Sequence, residues 1–132
     1  MTYGLDTSVV VRLLMCEPPE LAVKARDFVE AALDAGHLFY ISDLAISETY
    51  FVLQHHYGKT KESAISSLRA IQEMPGFSFS AEAKAALDTP DAWKASPGLV
   101  DRMIISEYTS KGFVTVSCEK DFRKLDFTEV IA

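Results

Sequence analysis

The sequence has 132 residues, of which 48% are hydrophobic and 24% charged, and its formal net charge is −6. This length and composition are typical of one globular domain that folds without disulfides or a structural metal. The negative charge argues against a domain that grips nucleic acid through a broad basic surface. It does not exclude a nuclease, because metal neutralises acids and a few local cations can hold a substrate.

The sequence also argues against a membrane protein and a disulfide scaffold. No run reaches the roughly 18 apolar residues that a membrane span needs, and no secretory signal is visible. Cys16 and Cys118 lie far apart and match neither a zinc pattern nor a disulfide framework. We therefore expect a protein of the reducing cytoplasm that has no contact with membranes.

Apolar spacing predicts alternating strands and helices along the chain, with helix ends at Ser, Thr, Gly or Pro residues. The longest irregular stretch is predicted at 89–98. In chain order, the predicted elements are a strand at 2–5, helices at 8–15 and from Pro19 to Gly36, a strand at 38–41, helices from Ser42 or Asp43 to about Tyr57 and from Thr60 to Pro75, a short strand at 77–79, helices from Ser80 to about Asp88 and at 100–111, a buried strand at 113–116, a helical turn at 122–125 and a strand at 127–131.

This alternation predicts an α/β fold with a mostly parallel sheet covered by helices on both faces. The sequence contains no repeat, low-complexity tract or linker, and we expect a single domain over residues 1–132. Ligands of such folds bind beyond the carboxyl ends of the strands. Asp6 and the pair Glu119 and Asp121 directly follow two predicted strands, which places them at that edge.

Glu48 lies on an apolar stripe of its predicted helix. Leu44, Phe51, Val52 and His55 are three, four or seven positions away, so we expect the carboxylate to point inward. A buried, unpaired carboxylate costs several kcal/mol, and it is therefore neutralised, paired or bound to a metal. A place at the edge of the stripe, or an ion pair with a distant arginine, is the alternative.

The other acids each have an ordinary explanation beside a functional one. Asp101 shares a helix face with Ile104 and Ile105, but it also lies in a first helical turn, where an anion is favoured. Asp6 is either a plain N-cap or a ligand at the end of the first strand. Acids that converge without a basic partner indicate a site for a hard divalent cation, and such a site indicates phosphoryl chemistry.

The segment that holds Glu119 and Asp121 also carries three cations, Lys120, Arg123 and Lys124. Mixed charges of this kind are usually a solvated surface. In a functional interpretation, an acid of the segment binds metal and the cations contact phosphate.

Taken in order, these segments resemble the PIN-domain family, and within it the VapC-like ribonuclease toxins of toxin–antitoxin pairs. Leu5-Asp6-Thr7-Ser8 resembles the opening motif, and the residues at 41–49 resemble the segment that carries the family's glutamate. The residues at 100–105 match the helix of the third acid. Those at 114–122 are similar to the family's Thr-x-Asp-x-Asp-Phe motif, although Ser117 and Glu119 replace Thr and the first Asp.

The resemblance implies a PIN-like three-layer α/β/α sandwich that uses Mg²⁺ or Mn²⁺ to cleave RNA. It also implies a homodimer that is inhibited by a small cognate antitoxin. The implied catalytic acids are Asp6, Glu48, Asp101 and Asp121, and the same four with Glu119 as the alternative fourth ligand are the implied metal ligands. The candidate substrate contacts are Thr7, Ser8, Arg12, Ser117, Lys120, Arg123 and Lys124.

Two other functions fit the same residues. One is a non-catalytic PIN-fold subunit that binds a partner, and the other is a phosphatase-like hydrolase with Asp6 as nucleophile. The second is disfavoured, because such enzymes usually have another aspartate two positions on, where this chain has Ser8. His55 and His56 point about 100° apart on a helix, so they are interpreted as helix-end residues rather than as joint metal ligands.

Overall fold

The computed structural model describes residues 1–132, and they form two compact units, Met1–Ser80 and Ala81–Ala132. The expectation of a single domain stays a prediction. The N-terminal unit contains β1 (Thr2–Leu5), α1 (Thr7–Met15), α2 (Pro19–Asp34), β2 (Leu38–Ile41), α3 (Asp43–His55), α4 (Lys61–Glu73) and β3 (Phe77–Ser78). The C-terminal unit contains α5 (Ala81–Leu87), α6 (Leu99–Ser110), β4 (Thr115–Ser117), a 3₁₀ helix (Lys120–Lys124) and β5 (Thr128–Val130). The order and type of these elements confirm the predicted alternation.

The sheet of the N-terminal unit brings two helix starts to one edge. Its strands are parallel in the order β1-β2-β3. Leu5 at the end of β1 is in register with Ile41 at the end of β2. The residues that follow, Asp6 and Ser42, therefore leave the sheet at the same level, and each caps the helix that comes next.

Helix α3 packs against α1 and α4, and its buried residues define which side faces the core. Ser42 caps the helix, because its Oγ accepts a hydrogen bond from the Ala45 amide at 3.2 Å. The hydroxyl of Thr49, fully buried, donates to the Ala45 carbonyl at 2.7 Å, so no polar group of this side chain is left unpaired. The buried residues of the helix are Ala45, Ile46, Thr49, Tyr50 and Leu53.

The C-terminal unit is built around α6 and the parallel pair β4–β5. The Thr128 hydroxyl contacts the carbonyls of Phe122 and Leu125, at 2.6 and 2.8 Å, and so joins β5 to the 3₁₀ helix. At the start of α6, the Arg102 side chain donates from Nε to the Pro97 carbonyl at 2.7 Å. These bonds fix the segments on either side of Asp101 and Asp121.

The strand predicted at 113–116 is present but begins two residues later, and the prediction that it is buried is wrong. The strand is β4, Thr115–Ser117, and only Thr115 in it is buried. Phe113, Val114 and Val116 are each more than half exposed. The prediction assumed a strand covered on both faces, whereas only the face that carries Thr115 is covered. Val116, which points to the opposite face, is exposed.

Among the helices of this chain, none has both the length and the hydropathy that crossing a bilayer requires.

Candidate active site

Asp6 is the N-cap of α1, and its carboxylate is held by the first turn of that helix. Oδ1 accepts a hydrogen bond from the Ser8 hydroxyl at 2.6 Å and another from the Val9 amide at 3.3 Å. These bonds, led by that of Ser8, together with the nearby charge of Arg12, lower the pKa of the Asp6 carboxyl below its usual value. The side chain is exposed. Asp6 is therefore both a cap and an accessible, ionised carboxylate.

Glu48 is exposed, so the prediction that it points into the core is wrong. The stripe on which that prediction relied faces outward, with Leu44 77% and Phe51 46% exposed. The core side of α3 is the opposite one, which contains Ile46 and Leu53. Glu48 therefore carries no cost of burial, and its place in the site depends on which residues surround it.

A cavity of about 600 Å³ is lined by residues of α1 and α3 and by the chain that follows α3. Asp6 and Glu48 both line it, together with Arg12, His56 and Tyr57. The two acids also line a neighbouring cavity of about 340 Å³, which includes Tyr40 and Leu44. The Asp6–Glu48 pair therefore borders two cavities of the N-terminal unit, and only the larger one contains a cationic side chain.

The C-terminal unit holds a second pair of acids. Asp101 lies in the first turn of α6 and is half-buried. Burial raises the pKa of the Asp101 carboxyl, and the negative charge of Asp121 raises it further. Asp121 is also half-buried, and its Oδ2 accepts a hydrogen bond from the Ser96 hydroxyl at 2.5 Å. These two carboxylates thus share an environment in which a cation would be favourable.

Glu119 differs from Asp121 although they are two residues apart. Glu119 is exposed, and its amide donates to the Ser117 Oγ at 2.9 Å. The negative charge of Asp121 raises the pKa of the Asp101 carboxyl. Within the C-terminal unit, Asp121 is therefore the acid that lies near Asp101.

The predicted substrate contacts fall into two groups. Thr7, Ser8 and Arg12 line the larger cavity of the N-terminal unit. In the C-terminal unit, the Ser117 hydroxyl oxygen accepts a hydrogen bond from the Glu119 amide. The three cations of the 3₁₀ helix are exposed; they are Lys120, Arg123 and Lys124.

The larger cavity also includes Tyr57 and His56, and His56 was predicted to be only a helix-end residue. The missed signal was helical spacing, because Glu48, Val52 and His56 are four residues apart and all three line the larger cavity. His55, which is next in sequence, does not line it. The two histidines therefore face different surroundings, as their helical geometry predicts.

The donor atoms of each acid pair suit a hard divalent cation. In neither unit do three or more Asp, Glu, His or Cys side chains gather closely enough to hold a metal by themselves. Mg²⁺ usually keeps several of its waters and binds one or two carboxylates plus substrate phosphate. A pair of carboxylates such as Asp6 and Glu48, accessible from a cavity, fits that requirement.

Comparison with known proteins identifies the family. The chain resembles a crystal structure of VapBC2 from Rickettsia felis bound to a DNA fragment from their promoter, with 18% identity over 98% of each chain and a TM-score of 0.44. No curated protein matches the chain. The family model of the PIN domain matches residues 3–128, and members of this family are generally nucleases that use divalent metals. The match confirms the predicted PIN-like α/β fold, and the chain belongs to the PIN-domain family.

Proposed function

We propose that this chain is a metal-dependent endoribonuclease and the toxin of a VapBC-type toxin–antitoxin pair. The observation that carries the proposal is the larger cavity, where Asp6 and Glu48, the first two acids of the family pattern, lie together with Arg12. Two accessible carboxylates beside one cation suit a metal ion and the phosphate that it activates. Family membership supports the same chemistry.

The proposed metal ligands are Asp6, Glu48, Asp101 and Asp121. Asp121 is preferred over Glu119, because its charge acts on Asp101 while the Glu119 side chain is exposed. Mg²⁺ or Mn²⁺, when bound, supplies a more acidic water molecule and neutralises charge on the phosphate. No side chain is needed as a covalent nucleophile.

The residues of the chain prepare this chemistry in distinct ways. Ser8 and the Val9 amide hold the Asp6 carboxylate in one orientation and keep it ionised, so no proton has to leave before a cation binds. Arg12 offers a fixed positive charge at the wall of the same cavity and would bind a phosphate of the RNA backbone. The exposed cations Lys120, Arg123 and Lys124 would add further backbone contacts.

The proposed partners are an RNA substrate, a second copy of the chain and a small cognate antitoxin. These proposals come from the resemblance of the four acidic segments to VapC-like toxins. A small DNA-binding protein encoded by the adjacent reading frame, and a stable complex between it and this chain on co-expression, would support the antitoxin. Light scattering of the purified chain would measure its oligomeric state.

The test of the enzymatic proposal is RNA cleavage by the purified chain, free of any co-purifying protein, with Mg²⁺, Mn²⁺ or EDTA. We expect cleavage that requires metal and that is lost in the Asp6→Asn and Asp101→Asn variants. The matched control is Asp27→Asn, an exposed acid of α2 that borders neither cavity, which should cleave like the wild type.

Other outcomes have clear meanings. Cleavage that persists with normal metal dependence in Asp6→Asn would refute the assignment of the site. If neither RNA cleavage nor Mn²⁺ binding by calorimetry is found, the non-catalytic, partner-binding subunit becomes the better explanation. A phosphorylated Asp6 after incubation with a phosphate ester would instead favour the phosphatase-like hydrolase.

A further inference from the structure

We propose that the larger cavity is a nucleotide subsite, in which the base next to the cleaved phosphate stacks on Tyr57 beside His56. The proposal deepens the proposed function and depends on it for the class of ligand, RNA. It assigns a role in substrate binding to two residues that lie outside the four acids. It also explains how an acidic protein can hold a polyanionic substrate.

The size and lining of the cavity fit one nucleotide. Its volume of about 600 Å³ lies within the roughly 300–1,000 Å³ of pockets that hold small ligands. The acids Asp6 and Glu48 and the cation Arg12 supply polar contacts, while Val11 and Val52 supply apolar surface. A phosphate near the acids and Arg12 would leave the attached base to meet the aromatic part of the lining.

The aromatic part of the lining is held in place by the end of α3. The amides of His56 and Tyr57 both donate to the Val52 carbonyl, at 2.9 and 3.3 Å. Gly58 follows with a φ of 65°, a left-handed conformation that glycine adopts readily and that ends the helix. The two rings then meet edge to face, with centroids 4.9 Å apart and planes at 79°. The rings are thus preorganised for a ligand.

The charge of the protein supports stacking as a source of affinity. With a net charge of −6, the protein as a whole repels a polyanion at long range, and contacts that do not depend on charge have to contribute more to binding. Proteins bind single-stranded RNA by stacking unpaired bases on Tyr, His and other aromatic side chains. Such stacking tolerates any base, and each stacked base strengthens binding roughly 5- to 150-fold, as measured by alanine substitution.

The same helix provides matched controls. The rings of Phe51 and His55 stack on each other with centroids 6.2 Å apart, are exposed, and do not line either cavity. Phe51→Ala therefore removes an exposed aromatic ring outside the subsite, and His55→Ala removes the neighbouring histidine. Tyr40 belongs to the smaller cavity, which Asp6 and Glu48 also line, so Tyr40→Ala tests the alternative position for the base.

The experiment is a binding titration by fluorescence anisotropy with a short, labelled, single-stranded RNA of mixed sequence. Every variant is made in the Asp101→Asn background with Mg²⁺ present, so that the RNA stays intact. We expect Tyr57→Ala to weaken binding at least fivefold, Tyr57→Phe to bind like the parent, and Phe51→Ala and His55→Ala to have no effect. Circular dichroism and thermal unfolding confirm that each variant is folded.

Abasic RNA distinguishes stacking from a general structural effect. The same RNA is prepared with a single abasic nucleotide at each position in turn. We expect one position at which the abasic RNA binds the parent weakly and at which Tyr57→Ala causes no further loss. Three results would overturn the proposal. Tyr57→Ala could lower the affinity equally for every abasic RNA, it could leave the affinity for intact RNA unchanged, or only Tyr40→Ala could lower that affinity.

Failure of this proposal differs from failure of the proposed function. If the wild type cleaves RNA with metal but Tyr57→Ala binds normally, the subsite is wrong and the nuclease stands. If the wild type does not cleave but Tyr57 is needed to bind RNA, the subsite stands and the catalytic function is wrong.

Discussion

The two acid pairs of this chain lie in contrasting environments. In the N-terminal unit, Asp6 is exposed and receives hydrogen bonds from Ser8 and Val9, and the pKa of its carboxyl is lowered. In the C-terminal unit, Asp101 is half-buried near the charge of Asp121, and the pKa of its carboxyl is raised. Removing the negative charge should therefore destabilise the first site and stabilise the second. The contrast shows that the same residue type can serve the local fold at one position and oppose it at another.

The largest expected effect concerns the packing of the helices that carry Glu48 and Asp101. Leu53 of α3 and Leu99 of α6 are each only 1% exposed. We expect Leu53→Ala and Leu99→Ala each to lower the free energy of unfolding by about 2–5 kcal/mol, because each leaves a cavity in the core. Urea unfolding measures the change, and a loss below about 1 kcal/mol at either position would contradict the observed burial.

The next largest effect is stabilisation by a bound cation, which tests whether both acid pairs contribute to a metal site. At a concentration about 100 times its dissociation constant, Mn²⁺ should raise the free energy of unfolding by about 2.7 kcal/mol. In thermal unfolding, Mn²⁺ should stabilise the wild type and the exposed-acid control Asp27→Asn equally. It should stabilise Asp6→Asn and Asp101→Asn less. Equal gains in all four proteins would show that the cation binds elsewhere.

A smaller effect is expected at the helix cap. Asp6→Ala removes the acceptor for the Val9 amide and should cost about 1 kcal/mol, while Asp6→Asn keeps an oxygen and should cost less. Because the folded pKa of Asp6 lies below its unfolded value, its charge stabilises the protein fully above that unfolded value. This contribution is lost as pH falls through the folded pKa. The difference in the free energy of unfolding between the wild type and each variant should therefore shrink as the pH is lowered.

The smallest effect should have the opposite sign. In metal-free protein at neutral pH, Asp101→Asn should raise the free energy of unfolding by less than about 1 kcal/mol, since the group is only partly buried and solvent screens its charge. The folded pKa is higher than the unfolded one, so the ionised carboxyl costs stability above the folded pKa, and this cost disappears below the unfolded value. A lower free energy of unfolding for Asp101→Asn at neutral pH would contradict the proposed difference between the Asp6 and Asp101 sites. The control is Glu107→Gln, which changes an exposed acid on the same helix.

Local signals predicted the beginnings of the helices well. Asp6, Ser42 and Thr60 each accept a hydrogen bond from the first turn of the helix that they were predicted to precede. This interaction spans only three residues and depends on side-chain chemistry that is visible in the sequence. The order of strands and helices was predicted for the same reason, because each element has its own apolar period.

The orientation of α3 was not predictable in this way. The helix has apolar residues on two sides, one with Leu44 and Phe51 and one with Ile46 and Leu53. Its spacing alone does not decide which side is buried, because both sides satisfy a helical pattern. The packing of α3 against α1 and α4 selects the second side, and Glu48 is exposed as a result.

The sequence by itself determined the α/β class, the helix caps, the family and the identity of the four candidate acids, since each of these depends on short-range patterns. Only the tertiary structure decided that Glu48 and Asp6 line the same two cavities, that His56 and Tyr57 line the larger one with them, and that the pKa of Asp101 is raised. Cavities and pKa shifts depend on which atoms exclude water around a group, and residues far apart in the chain supply those atoms.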